Sequence, residues 1–232
     1  MRSLTASLAI AIAACVLSVV PDAAQVKSAP KRYALEAATG LKLQRVKAEP
    51  ATLEGKKGVR VEAAAAETQE LDDLAILDDT DFGNGTIEAE IAGQPAPGAG
   101  GGARGFVGIA FRVRDEKTYD AFYLRPTNGR AEDQERRNHA TQYISHPDWT
   151  WNKLRTETPG KYESYVDIQP AVWVKIKIEV KGDHARLYVN DAAQPCLIVN
   201  DVKSGASARG KVALWIGLGA VGHFRNVVVT PE

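Results

Sequence analysis

Trp173-Val174-Lys175-Ile176-Lys177-Ile178-Glu179-Val180-Lys181-Gly182-Asp183-His184-Ala185-Arg186-Leu187-Tyr188-Val189 alternates apolar and polar residues, turns, and alternates again. Successive side chains of a strand point to opposite faces, so Val174, Ile176, Ile178 and Val180 share one face and Lys175, Lys177, Glu179 and Lys181 the other. The turn Lys181-Gly182-Asp183 joins this run to Ala185–Val189 as a hairpin. The same period recurs in Thr86–Ile91. In Phe106–Val113, Val107, Ile109, Phe111 and Val113 oppose Gly108, Ala110 and Arg112. Val212–Ile216 and Val227–Val229 close the chain. Many short strands with one apolar face each predict an all-β sandwich of two antiparallel sheets.

Helix has one claim, in Val61–Leu77, where Ala63–Ala66 and the glutamates have high helix propensity. Strand signals in Gly58–Val61 and Leu74–Leu77 reduce it to a short helix or loop between strands. The low-complexity run Gly93–Gly105 lies between strands and reads as a long flexible hairpin connection. No internal repeat or domain linker is visible.

Residues 1–24 have the layout of a secretory signal peptide: Arg2, an apolar run from Leu4 to Val20, then Pro21 and small residues. The expectation is export to the periplasm or beyond, with residues 25–232 as a single domain. Ile12-Ala13-Ala14-Cys15 also resembles a lipobox, which would anchor the chain through Cys15, although the apolar run continues past it. No second apolar stretch follows, so no transmembrane span is expected in the mature chain. Cys196 would then stand alone, without a disulfide. The 29 Lys and Arg balance the 29 Asp and Glu of the 232 residues. Charge therefore gives no reason to expect nucleic acid or an anionic membrane as partner.

Phe82-Gly83-Asn84-Gly85-Thr86-Ile87-Glu88 resembles the "F-x-N-G-x-I-E" strand of the concanavalin A-like lectin/glucanase superfamily. Gly108–Arg112 looks like its next strand. Trp173–Lys177 with Ala185–Asn190 is similar to its "W-x-x-I-x-I-x-V … a-x-L-Y-V-N-G" hairpin. Gly210–Trp215 and Phe224–Val227 match its closing strands. The resemblance covers most of residues 33–230 and implies a concanavalin A-like jelly roll. Within the superfamily the likeness is greatest to the bacterial 3-keto-disaccharide hydrolase group, also described as 3-keto-glycoside lyase/hydratase domains.

Several motifs have an ordinary explanation. Glu88 and Glu90, at i and i+2, could approach the carboxyl spacing of a retaining glycosidase. The E-x-D-x-x-E pattern of laminarinase-type members is missing, so a solvated strand face is the better reading. Gly98–Ala103 imitates a dinucleotide fingerprint, but a strand follows where a helix is needed. Asp72, Asp73, Asp78, Asp79 and Asp81 offer oxygen ligands that would suit Ca²⁺. Their spacing is not that of an EF-hand, and no metal or other cofactor is expected. His139, His146, His184 and His223 show no zinc-site spacing.

The candidate site lies in Tyr119–Trp151. Phe122 and Leu124 belong to the core row, so Tyr123 and Arg125 point the other way, as does Arg112 on its own strand. The superfamily commonly binds ligand on its concave non-core face, so the resemblance implies a patch of Arg112, Tyr123 and Arg125, with Gln142 and Trp215 able to join. Pro126–Trp151 would form a loop or lid above it. Tyr123 with Trp149 or Trp151 would stack on sugar rings, the arginines would hold hydroxyls or an oxyanion, and Gln142 would orient the ligand. His146 with Asp148 or Glu135 is the candidate acid/base pair for a glycosidic bond, above all of a 3-keto-sugar whose acidified C–H permits elimination. The alternatives are a non-catalytic lectin-like or cell-surface module, and a purely structural envelope protein.

Overall fold

The computed structural model describes residues 29–65 and 73–232. The expected leader with Cys15, and residues 66–72 between two strands, lie outside the described residues. Fifteen strands are described: β1 (Lys31–Tyr33), β2 (Leu41–Gln44), β3 (Val46–Leu53), β4 (Lys56–Ala63), β5 (Asp73–Phe82), β6 (Gly85–Pro95), β7 (Val107–Val113), β8 (Tyr119–Leu124), β9 (Thr141–His146), β10 (Glu163–Ser164), β11 (Val174–Lys181), β12 (His184–Val189), β13 (Leu197–Val199), β14 (Gly210–Ile216) and β15 (Ala220–Pro231). Two short helices flank β9: α1 (Gln134–Asn138) and α2 (Trp151–Glu157).

The strands form two antiparallel sheets. One runs β13-β12-β11-β6-β15-β4-β3, with β1 also on β15; the other runs β10-β9-β8-β7-β14-β5-β2. This is the expected jelly-roll sandwich. The expected hairpin of β11 and β12 forms, with Ile178 opposite Leu187. Val174, Ile176, Ile178 and Val180 are buried, while Lys175 and Lys177 pair across strands with Glu90 and Glu88 on the outer face. From the second sheet, Ile109, Phe111, Phe122, Tyr143, Leu214 and Ile216 fill the facing layer of one continuous core. None of the helices among the described residues is long and apolar enough to cross a membrane.

Two expectations about connections are corrected. Residues 96–106 do not close a hairpin, because β6 and β7 belong to different sheets. The segment crosses from one sheet to the other, held by Ala96 N–H donating to Gly219 O (2.8 Å) and Thr127 N–H to Arg104 O (3.3 Å). Pro126–Trp151 is not one loop either. It contains a 3₁₀ turn, α1 and β9, which pairs with β8 over six residues from Tyr119–His146 to Leu124–Thr141. Thr141-Gln142-Tyr143-Ile144-Ser145-His146 has the β-branched and aromatic content of a strand. Its polar Gln142 and His146 obscure the alternation.

Arg112 leaves the face that strict alternation assigns to it. Between the pairs Ala213–Ala110 and Lys211–Val113, β7 has two residues where β14 has one, and Arg112 takes a left-handed φ of 54°. That bulge reverses the side-chain direction. The guanidinium is fully buried. Nε donates to Gly83 O (3.0 Å), Nη1 to Gly205 O (2.9 Å) and Ser204 Oγ (3.1 Å), and Nη2 to Gly182 O (2.7 Å) and Asn84 Oδ1 (3.4 Å). The connections β5–β6, β11–β12 and β13–β14 are thereby tied to β7.

Replacing this cation should be costly, since it leaves buried acceptors unsatisfied and the interior carboxylate of Asp120 uncompensated. Arg112→Met is expected to lower unfolding free energy by about 3 kcal/mol or more in urea denaturation. A loss under about 1 kcal/mol would refute the assignment of Arg112 as the tie between these turns.

Candidate functional site

The outer face of the second sheet is built on an omission. Gly108 pairs with Tyr123 on one side and Trp215 on the other. With no side chain between them, the two rings meet across β7, stacked at 4.6 Å and 27°. A Cβ at position 108 would stand 2.6 Å from Tyr123 Cβ and 2.2 Å from Phe122 O. Phe106 meets Tyr123 edge-on at 6.0 Å. Trp215 Nε1–H donates to the Tyr119 hydroxyl (3.1 Å), which lies 3.1 Å from His146 Nδ1.

Beside the aromatic row sits a buried charge network. Arg125 donates through Nη2 to Tyr123 Oη (2.8 Å) and Gln142 Oε1 (2.8 Å), and through Nη1 to Glu163 Oε1 (3.0 Å) and His139 O (3.0 Å). Arg155, from α2, grips Glu163 with both nitrogens of its fork, Nε at 2.9 Å from Oε2. His139 Nδ1 lies 2.9 Å from the same Oε2, at ion-pair distance but without hydrogen-bond alignment. Burial alone would raise the pKa of Glu163. The hydrogen bond from Arg155 and the charges of Arg125, Arg155 and His139 outweigh it and hold the carboxyl below its ordinary value.

Above these residues opens a cleft of about 900 Å³. Tyr123, Ile144, His146 and Trp215 lie in its floor. Trp151 and Arg155 from α2, the 96–106 crossing and the turn before Ala220 form its walls. Phe106 and Trp151 are only partly buried, with Arg125 6.0 Å from the ring centroid of Phe106 and Arg155 4.9 Å from that of Trp151. Tyr123 is 3% exposed and Gln142 fully buried; Tyr123's ring is covered by Trp215 and by Arg125, 5.0 Å from its centroid. These two support the floor of the cleft.

The structure brings together Tyr123, Arg125, Gln142, His146, Trp151 and Trp215 and separates the other candidates. Arg112 is inside the sandwich, turned there by its bulge. Trp149 packs against the core with Lys153 and Lys203 at 4.2 and 4.5 Å from its ring. It is held there by the exchange of backbone bonds between Ser145 and Trp149. Asp148 is exposed in that turn and is not among the cleft residues. Glu135, on α1, is 89% exposed with its carboxylate 4.0 Å from His139 Nε2. Neither carboxylate therefore joins His146 in the cleft. Glu163 was not legible in the sequence, because its strand is two residues long and its role depends on arginines 38 and 8 residues away.

The other motifs lie apart. Glu90 is engaged by Asn226 and Arg225 on the opposite sheet. Asp78, Asp79 and Asp81 pair with Lys211, Lys31 and Arg209, and buried Asp73 with Arg45. Asp72 is outside the described residues. Among the described residues, no three His, Cys, Asp or Glu gather as a metal site.

Because the folded pKa of Glu163 lies below its unfolded value of about 4.5, its contribution is present above that pH and lost as pH falls through the folded value. Melting temperature followed from pH 7 downward should show this loss in the acid limb. Glu163→Gln should flatten that limb and cost about 3 kcal/mol at neutral pH, where Arg125 is left without its buried partner. An unchanged acid limb would contradict the network.

No known family and no curated protein sequence matches this chain. Its fold does match solved structures. A protein of unknown function with a galectin-like fold from Bacillus subtilis aligns at TM-score 0.54 and 11% identity, over 89% of this chain and 99% of that one. A carbohydrate-binding module, CBM66, from Bacillus subtilis aligns at 0.51 and 14%, over 80% and 95%. The apo transglycosylase Crh5 aligns at 0.50 and 10%, over 88% and 85%. At these identities the likeness is one of fold: the chain is a galectin-like, concanavalin A-like β-sandwich.

Proposed function

We propose that this protein engages carbohydrate in the cleft on the outer face of its second sheet, as an exported binding module. The observation that carries the reading is the combination, in one cleft of about 900 Å³, of the partly buried rings of Phe106 and Trp151 with the partly exposed guanidinium of Arg155. Sugars present apolar C–H faces and hydroxyl edges, which such rings and donors match. The carbohydrate-binding module among the structural neighbours supports the same reading. The apolar leader of residues 1–24 supports export.

Binding is favoured over two-carboxylate hydrolysis. Among the described residues, Glu62 is the one carboxylate lining the cleft, and it is bound to Arg60 at 2.7 Å. Glu163, capped by two arginines and held ionised, is a poor proton donor. One catalytic reading is supported by a specific contact, the Tyr119 hydroxyl at His146 Nδ1. That hydroxyl would hold the imidazole of His146 in place to take the C–H proton beside the ketone of a 3-keto-glycoside. The C–H electrons would form the double bond, and the glycosidic oxygen would leave with its bonding pair and take its proton from the imidazolium so formed.

Glycan-array screening followed by calorimetry should find a saccharide ligand whose affinity falls at least about tenfold in Trp151→Ala, the loss of roughly one ring contact of 1.4 kcal/mol. Circular dichroism should be unchanged. Binding without turnover of 3-keto-glycosides, insensitive to His146→Ala, would leave the binding module and remove the lyase. Absence of any saccharide ligand would refute both.

A further inference from the structure

The cleft collects positive charge. Arg104, Arg125, Arg136 and Arg155 line it, and among the described residues Glu62 is the one carboxylate that does. Glu62 is already held by Arg60. Arg125 and Arg155 share Glu163, so two cations there face one anion.

Arg104 and Arg136 have no ion pair among the described residues. Arg104 donates to the carbonyls of Gly101 (2.6 Å) and Ala103 (3.3 Å). Arg136 reaches Asn128 Oδ1 at 3.5 Å. All these acceptors are neutral. Burial lowers the pKa of Arg104, and the charges of Arg136 and Arg125 lower it further; the three guanidiniums thus repel one another across the cleft. A guanidinium that lines a cleft and bonds only neutral acceptors suits the planar bidentate recognition of a carboxylate, and also meets a sulfate well.

Resting on the carbohydrate reading of this cleft, we infer that its ligand is an acidic saccharide, whose ring lies against Phe106 and Trp151 and whose carboxylate or sulfate is met by Arg104 and Arg136. Neutral sugars would satisfy the ring contacts and leave these two cations without a counter-charge. An anion also relieves the repulsion among them, so charge adds to affinity twice.

The test uses the full chain in calorimetry with polygalacturonate and alginate fragments (carboxylate), carrageenan fragments (sulfate), methyl-esterified galacturonate fragments, dextran fragments and inorganic sulfate. At least one acidic saccharide is expected to bind about tenfold or more tighter than the esterified and neutral ones. That preference should fall as salt rises and disappear in Arg136→Gln and in Arg104→Gln. Lys177→Gln, on the opposite sheet, should leave it unchanged. Which of the carboxylate and sulfate saccharides binds identifies the anion. Equal binding of acid and ester overturns the acidic inference while the carbohydrate reading stands. Inorganic sulfate matching the best saccharide overturns the carbohydrate reading itself. Binding of none of the saccharides overturns both.

Discussion

A buried guanidinium has five N–H donors to satisfy and no neutral form available to it, and this sandwich closes around two of them. Arg112 meets the requirement with backbone carbonyls and side chains from three connections at one end of the fold. Arg125 places four of its donors on Tyr123, Gln142, Glu163 and His139 O on the outer face of the second sheet. Each positions segments that are far apart in the chain. Without Arg112 the turns after β5, β11 and β13 lose their common partner. Without Arg125 the floor of the cleft loses its polar support.

The cleft follows from that arrangement. Gly108 lets Tyr123 and Trp215 close over β7, giving a flat floor. Glu163 holds α2 through Arg155, and α2 in turn presents Trp151, over whose ring Arg155 lies at 4.9 Å. Rigid buried polar contacts thus set the positions of the partly buried groups in the walls. This is the logic of a preorganised binding site, in which side-chain entropy is lost on folding and not on binding. Among the described residues, arginines outnumber carboxylates in the lining of the cleft, which the whole-chain charge balance conceals, because 29 cations and 29 anions say nothing of where each is placed.

Much of this could be read before any coordinates. The two-residue period assigned the core rows and the β11–β12 hairpin. It also sent Tyr123, Arg125 and Trp215 away from the core. It misplaced Arg112 because one extra residue in β7 reverses the alternation at that point. It passed over β9 because Gln142 and His146 stand on the outer face, where the cleft makes polar and apolar residues equally at home. Trp149 and Trp151 are two residues apart and read alike in the chain, yet one packs beside the core between lysines and the other starts the helix that walls the cleft.

The sequence by itself determined the all-β sandwich, the faces of its regular strands and the tract that holds most of the site. Those follow from local periodicity, which each strand expresses without reference to its neighbours. Only the tertiary structure decided which charged residues meet. Glu163 joins Arg125, Arg155 and His139, Arg112 departs from the patch, and Arg104 and Arg136 converge from two connections on one cleft. Ion pairing depends on distance through space and on desolvation, and neither is written in the spacing of residues along a chain.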